Sequence, residues 1–136
     1  MKKLFPIAIA LIIAQPAFAA SPIAGKWLTT EKDSIVEIAP CGPALCGKII
    51  RILKPNPKGP TIDSNNPNPA LRNRPIQNMQ ILSDYVDKGK RWQGSIYDPR
   101  RGKSYKSYVT RLPNGTLKVE GCIAFLCEGF IWTPVN

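Results

Sequence analysis

Two short cysteine turns constrain this chain more than any other feature. Cys41-Gly42-Pro43-Ala44-Leu45-Cys46 interrupts the apolar run over 35–52, and Cys122 and Cys127 bracket four residues between the strand-like stretches 117–121 and 130–133. A turn flanked on both sides by strand-forming residues predicts a β-hairpin, and a cysteine on each shoulder allows it to be stapled. All four cysteines lie in these two hairpins.

An even cysteine count suits an oxidising compartment, and the start of the chain points the same way. Lys2 and Lys3 precede an apolar stretch over 4–14 that is too short to cross a bilayer, and Ala17-Phe18-Ala19 has the small residues of a signal-peptidase site. The expectation is a signal peptide over 1–19 and a single domain over 20–136, periplasmic or secreted, with no transmembrane segment in the mature chain. No cysteine follows the apolar stretch, which argues against a lipid anchor.

The formal charge is +10, and removing Lys2 and Lys3 lowers it by two to +8. Such a surface attracts anions, so an anionic envelope component and peripheral membrane contact are the macromolecular partners to expect. Solubility alone also accounts for the charge. Export excludes nucleic acid. The chain has no histidine, which removes Ser/His/Asp and Cys/His catalysis and any histidine-built metal site. Four-residue gaps between exported cysteines fit disulfides better than zinc. The expectation is no enzyme, no cofactor and no metal.

Strand signals recur along the whole domain, over 25–30, 34–39, 48–53, 79–84, 91–97, 104–111, 116–121 and 129–133. Asn114-Gly115 is a strong hairpin turn. Residues 54–77 break the rhythm: six prolines exclude a central strand, and Asn68-Pro69 starts at most one helical turn before Pro75. Eight short strands without a long amphipathic helix predict an all-β fold, a small up-and-down antiparallel barrel with one long Pro/Asn-rich loop. A sandwich is the rival.

In a meander, successive turns fall at alternate ends. The two cysteine hairpins then lie a strand length apart, about 17–20 Å, beyond the roughly 7 Å that a disulfide spans between Cα atoms. Each must close on itself, Cys41 with Cys46 and Cys122 with Cys127. The long loop shares an end with the 98–102 turn. That end is the expected mouth, with Arg72, Arg74, Tyr97, Arg100, Arg101 and Tyr105 as candidate ligand contacts and Trp92 as a candidate wall. Each also has a plain reading: Asp63 pairing with an arginine to pin the loop, Asp98 before proline as turn chemistry, and Trp92, Ile96, Tyr105 and Val109 as core. Trp27 and Trp132 are expected at the opposite, closed end as structural residues.

GKW from Gly25, CGPALCGKI from Cys41, NPNPALRNRP from Asn66, IYDPRRGKSY from Ile96 and WT at Trp132 occur in that order. Together they resemble the exported bacterial proteins grouped as domain of unknown function 2147, over essentially all of 20–136. The resemblance implies a small lipocalin-like barrel, whose GxW tryptophan packs at the closed end. Related sequences tend to carry arginine after the terminal Trp-Thr. Pro134 stands there instead, so no cation is expected over the floor tryptophan from that position. The family name assigns no activity. Barrels of this size are either filled or hold one small ligand. The leading expectation is a periplasmic binding protein for a small apolar or amphipathic ligand, and the alternative is a filled barrel that contacts a protein or an envelope polymer.

Overall fold

The computed structural model describes residues 2–12, 19–54 and 59–136. Ala17 and Phe18 of the expected cleavage site, and the stretch 55–58 of the long loop, lie outside the described residues. Eight strands follow one another: β1 Gly25–Leu28, β2 Ser34–Cys41, β3 Ala44–Ile52, β4 Gln80–Asp87, β5 Trp92–Asp98, β6 Lys103–Arg111, β7 Leu117–Ile123 and β8 Leu126–Pro134. Each is antiparallel to the next, and β8 returns to β1, so the sheet closes into a barrel in chain order. The sandwich is excluded. Asn68 caps a single 3-10 turn, Pro69–Leu71, by accepting from the Ala70 amide. No helix among the described residues is long and apolar enough to cross a membrane.

Both disulfides close within their own hairpins, Cys41 with Cys46 and Cys122 with Cys127. The turns are tighter than the cysteine spacing suggested. Strands continue through the cysteines, pairing Cys41 with Ala44 and Ile123 with Leu126, so only two residues turn at each tip. A cysteine can serve as a strand residue, which four-residue spacing alone does not reveal.

Alternation fills the interior. Trp27 pairs with Val36, Val36 with Ile49, Val109 with Val119 and Leu117 with Trp132, and all of these are buried. Leu82 and Tyr85 both face inward although they are three residues apart, and each is 1% exposed. A β-bulge between Ser83 and Val86, with Asp84 at φ +58°, supplies the extra residue that makes this possible. Opposite the bulge, Gly94 has no room for a side chain: a Cβ there would meet the Ser83 carbonyl oxygen at 2.6 Å and the Tyr85 ring at 2.7 Å.

The closed end is crossed by residues 20–24, ahead of β1. Ile23 is buried there, and Trp27 donates its indole N–H to the Ile23 carbonyl at 2.9 Å. On the far wall, Trp92 donates to the Ser21 carbonyl at 3.0 Å and Arg111 to the Pro22 carbonyl at 3.1 Å. The Arg111 guanidinium also stands 5.7 Å over the Trp27 ring. A cation does cover the floor tryptophan, then, but it comes from β6 and not from the strand that carries Pro134.

Candidate functional site

Above the pair Leu117 and Trp132 at the floor, cross-strand register sorts the inner wall of β5 to β8 into three rows. Lowest of these run Trp92, Val109, Val119 and Phe130; above them Gly94, Ser107, Gly121 and Glu128; at the mouth Ile96 and Tyr105, with Ile123 and Leu126 on the β7–β8 tip. The lowest row is apolar and packed at its centre, where Val109 and Val119 are buried, while Phe130 remains 43% exposed. The middle row is small except for the exposed Glu128. A Cβ on Gly121 would meet nothing closer than the Ile96 methyl at 3.8 Å, which leaves a shelf above Phe130. The top row overhangs it: Ile123, Phe125 and Leu126 are 66%, 90% and 71% exposed.

Two buried polar atoms have no hydrogen-bond partner, the hydroxyl of Tyr85 on the neighbouring β4 and Ser107 Oγ of the middle row. Burial pushes the Tyr85 hydroxyl above its ordinary pKa, and Ser107 draws it slightly back without reaching the geometry of a hydrogen bond. An unpaired buried hydroxyl costs roughly 1–3 kcal/mol, so the pair forms a costly polar spot in the packed interior.

The rim carries the cations. Arg100 and Arg101 project from the β5–β6 turn, and their contacts are loose: Arg100 to Asp98 at 3.6 Å and to Glu31 at 3.9 Å, Arg101 to Asp98 at 3.9 Å. Tyr105, then Asp98 and Glu128, raise the Arg101 pKa, which puts this guanidinium beside the middle and upper rows. Asp98 also accepts the Arg100 amide at 3.0 Å, as a turn aspartate does.

Arg72, Arg74, Tyr97 and Asp63 sit elsewhere. Tyr97 follows the inward-facing Ile96 and so lies on the outer face of β5, next to Ile81 of β4. The long loop folds against Tyr97, and its Ile76, with Met79 and Ile81, is buried in the same hydrophobic core as Val36, Ile49 and Leu82. Asp63, fully buried, clamps it: the carboxylate accepts from the Tyr97 hydroxyl at 2.5 Å, Asn66 at 2.8 Å, and Arg74 through both Nε and Nη2 at 3.0 Å. Burial alone would raise the Asp63 pKa, but these bonds outweigh it and hold the carboxyl below its usual range. The same burial, with the bond to Asp63, pushes Tyr97 up to about 12. Arg72 donates to the Asn66 carbonyl at 2.8 Å, inside the loop. Asn65 reaches the Pro99 and Arg100 carbonyls of the β5–β6 turn. Its own carbonyl lies where a Cβ of residue 102 would be, a place open because Gly102, at φ +64°, has none.

The candidates therefore divide. Arg100, Arg101 and Tyr105 gather at the mouth, Arg72, Arg74 and Tyr97 belong to the loop clamp on the outer wall, and Trp92 is at the floor. Ile123 and Leu126 join the mouth, and Gly121, Phe130 and the fully buried Ser107 lie on the wall beneath it; none of these was singled out in the sequence. Only the exposed apolar tip left a trace there, as four uncharged residues between cysteines.

Among curated proteins, none matches this chain. Its structure is similar to a solved protein, HP1028 from the human pathogen Helicobacter pylori, described as belonging to the lipocalin family. The TM-score is 0.74 and the identity 27%, over 85% of this chain and 84% of that one. Residues 25–134 match the family described as "Uncharacterized protein conserved in bacteria (DUF2147)". With eight strands closed in lipocalin fashion and a match that spans the entire barrel, the chain belongs to this bacterial family.

Proposed function

We propose that the protein is an exported, periplasmic binding protein for a small amphipathic molecule held at the mouth of the barrel. The observation that carries this reading is the inner wall of β5 to β8: half-exposed Phe130 beneath a glycine-serine shelf, with an apolar overhang above. The apolar body of the ligand lies on Phe130, Ile96, Tyr105 and Leu126. An acidic head would meet Arg100 and Arg101. The lipocalin-family likeness supports the same reading, as do two closed disulfides, which suit an oxidising compartment. Native mass spectrometry of the protein purified from its own periplasm tests it. A discrete added mass, removed by organic extraction and lost in Phe130→Asp, is expected. No added mass, together with no saturable heat on titration with fatty acids or lysophospholipids, would sink it.

A second reading has its own support in the exposed Ile123, Phe125 and Leu126. A rigid apolar tip beside Arg100, Arg101 and Lys103 suits contact with an anionic envelope surface. Phe130→Asp separates the two, because it would abolish binding on the barrel wall while surface binding through Ile123, Phe125, Leu126 and the arginines would persist.

A further inference from the structure

The strap over the closed end is held at four consecutive residues, and the first of these contacts is of a different kind. Trp92, Arg111 and Trp27 donate to the carbonyls of Ser21, Pro22 and Ile23. Ala20 instead presents its nitrogen to Asp87, 3.0 Å from Oδ1 and 3.1 Å from Oδ2. A peptide nitrogen has one hydrogen and must divide it between two oxygens. An ammonium has three and can give each oxygen its own. Ala20 is 8% exposed, and residues 2–12 have no regular secondary structure and expose Leu4, Phe5, Ile7, Ile9, Leu11 and Ile12.

We propose that Asp87 is the receptor for a new α-ammonium at Ala20, so that removal of residues 1–19 creates an ion pair that completes the closed end. The inference rests on the export reading given above. In the step itself a signal peptidase adds water across the Ala19–Ala20 bond: the Ala19 carbonyl carbon gains the hydroxyl, and the Ala20 nitrogen gains the hydrogen. The resulting amine takes a further proton from solvent, since an α-amino group has a pKa near 7.7–8.0. Asp87, at the end of β4, stands across the barrel floor from β1, and the pair therefore ties the mature N-terminus to the opposite wall. Asp87 Oδ1 also accepts the Gly89 amide at 2.7 Å, which fixes the carboxylate in place before the amine arrives.

The test begins with N-terminal sequencing of the exported protein, which should start at Ala20. Any other start overturns the cleavage reading and the receptor with it. The second part compares protein starting at Ala20 with protein carrying one extra glycine before it, each with Asp87 and with Asp87→Asn, which keeps an acceptor for the Gly89 amide. The extra residue should lower Tm by roughly 2–4 °C with Asp87 present and by less than a third of that in Asp87→Asn. An equal shift in both backgrounds would leave the cleavage site standing and overturn the ion pair.

Discussion

Asp63 is the residue on which the long loop depends, and its chemistry makes the loop sensitive to pH at both extremes. Its carboxyl is held below the ordinary range in the folded chain. The stabilisation it contributes is complete above the unfolded value of about 3.9 and is lost as pH falls through the lower folded value. Tyr97 has the opposite sign: raised to about 12 when folded, it contributes fully below about 10 and loses that contribution as pH rises towards 12. Urea midpoints measured across pH should form a plateau with a fall at each side. Tyr97→Phe should remove the alkaline fall, and Asp63→Asn should flatten the acid one while costing about 2 kcal/mol at neutral pH, since Arg74 is partly solvated. An unchanged acid limb in Asp63→Asn would refute the clamp. Gly94→Ala is a second residue-scale expectation. A Cβ set against a backbone oxygen cannot be relieved by a rotamer change, so the cost should be roughly 1–3 kcal/mol by urea denaturation.

Among the elements, the β7–β8 hairpin carries the most exposed apolar surface and one of the staples. Ala124 turns it at φ +54°, a conformation that costs a non-glycine residue about 1–2 kcal/mol. Ala124→Gly should therefore raise stability by about 0.5–1 kcal/mol, read as a higher thermal midpoint; a fall would mean that the tip gains from rigidity more than it loses to strain. Replacing Cys122 and Cys127 together by serine should cost about 2 kcal/mol, the chain entropy of so small a ring, and hydrogen exchange should quicken at the tip before anywhere else in β7 and β8. Much at this scale was legible from the sequence. Strand order, turn alternation and both disulfides follow from spacing, because a meander leaves the cysteines few partners in reach. The bulge at Asp84 was not legible, since nothing local marks where alternation slips. Nor was the loop's position: Tyr97 faces outward only because Ile96 faces inward, and that parity is set by pairing with β4 and β6. Arg111 over Trp27 joins residues far apart in the chain, and only the closed sheet brings them together.

For the whole molecule, the proposed binding function implies a ligand near the rim, since the floor is packed. Binding of an amphipathic molecule there should shield Tyr105 and Phe130 from solvent and leave Trp27, Trp132 and Trp92, which is held to the Ser21 carbonyl, unaffected, so tryptophan fluorescence should change little while heat is released in calorimetry. A large tryptophan response would instead locate the ligand deep in the barrel. The barrel is also a sheet rolled up along an unequal hem. β1 meets β8 through only two paired positions, Trp27 with Pro134 and Leu28 with Thr133, while β6 meets β7 through six. A rolled sheet opens where it is least stitched. The strap over 20–24 runs from that weak hem to the far wall, so it acts as a drawstring: slackened, it would let the roll begin to unwind from its first strand, and drawn tight it makes the shortest strand pairing in the barrel hold as well as the others.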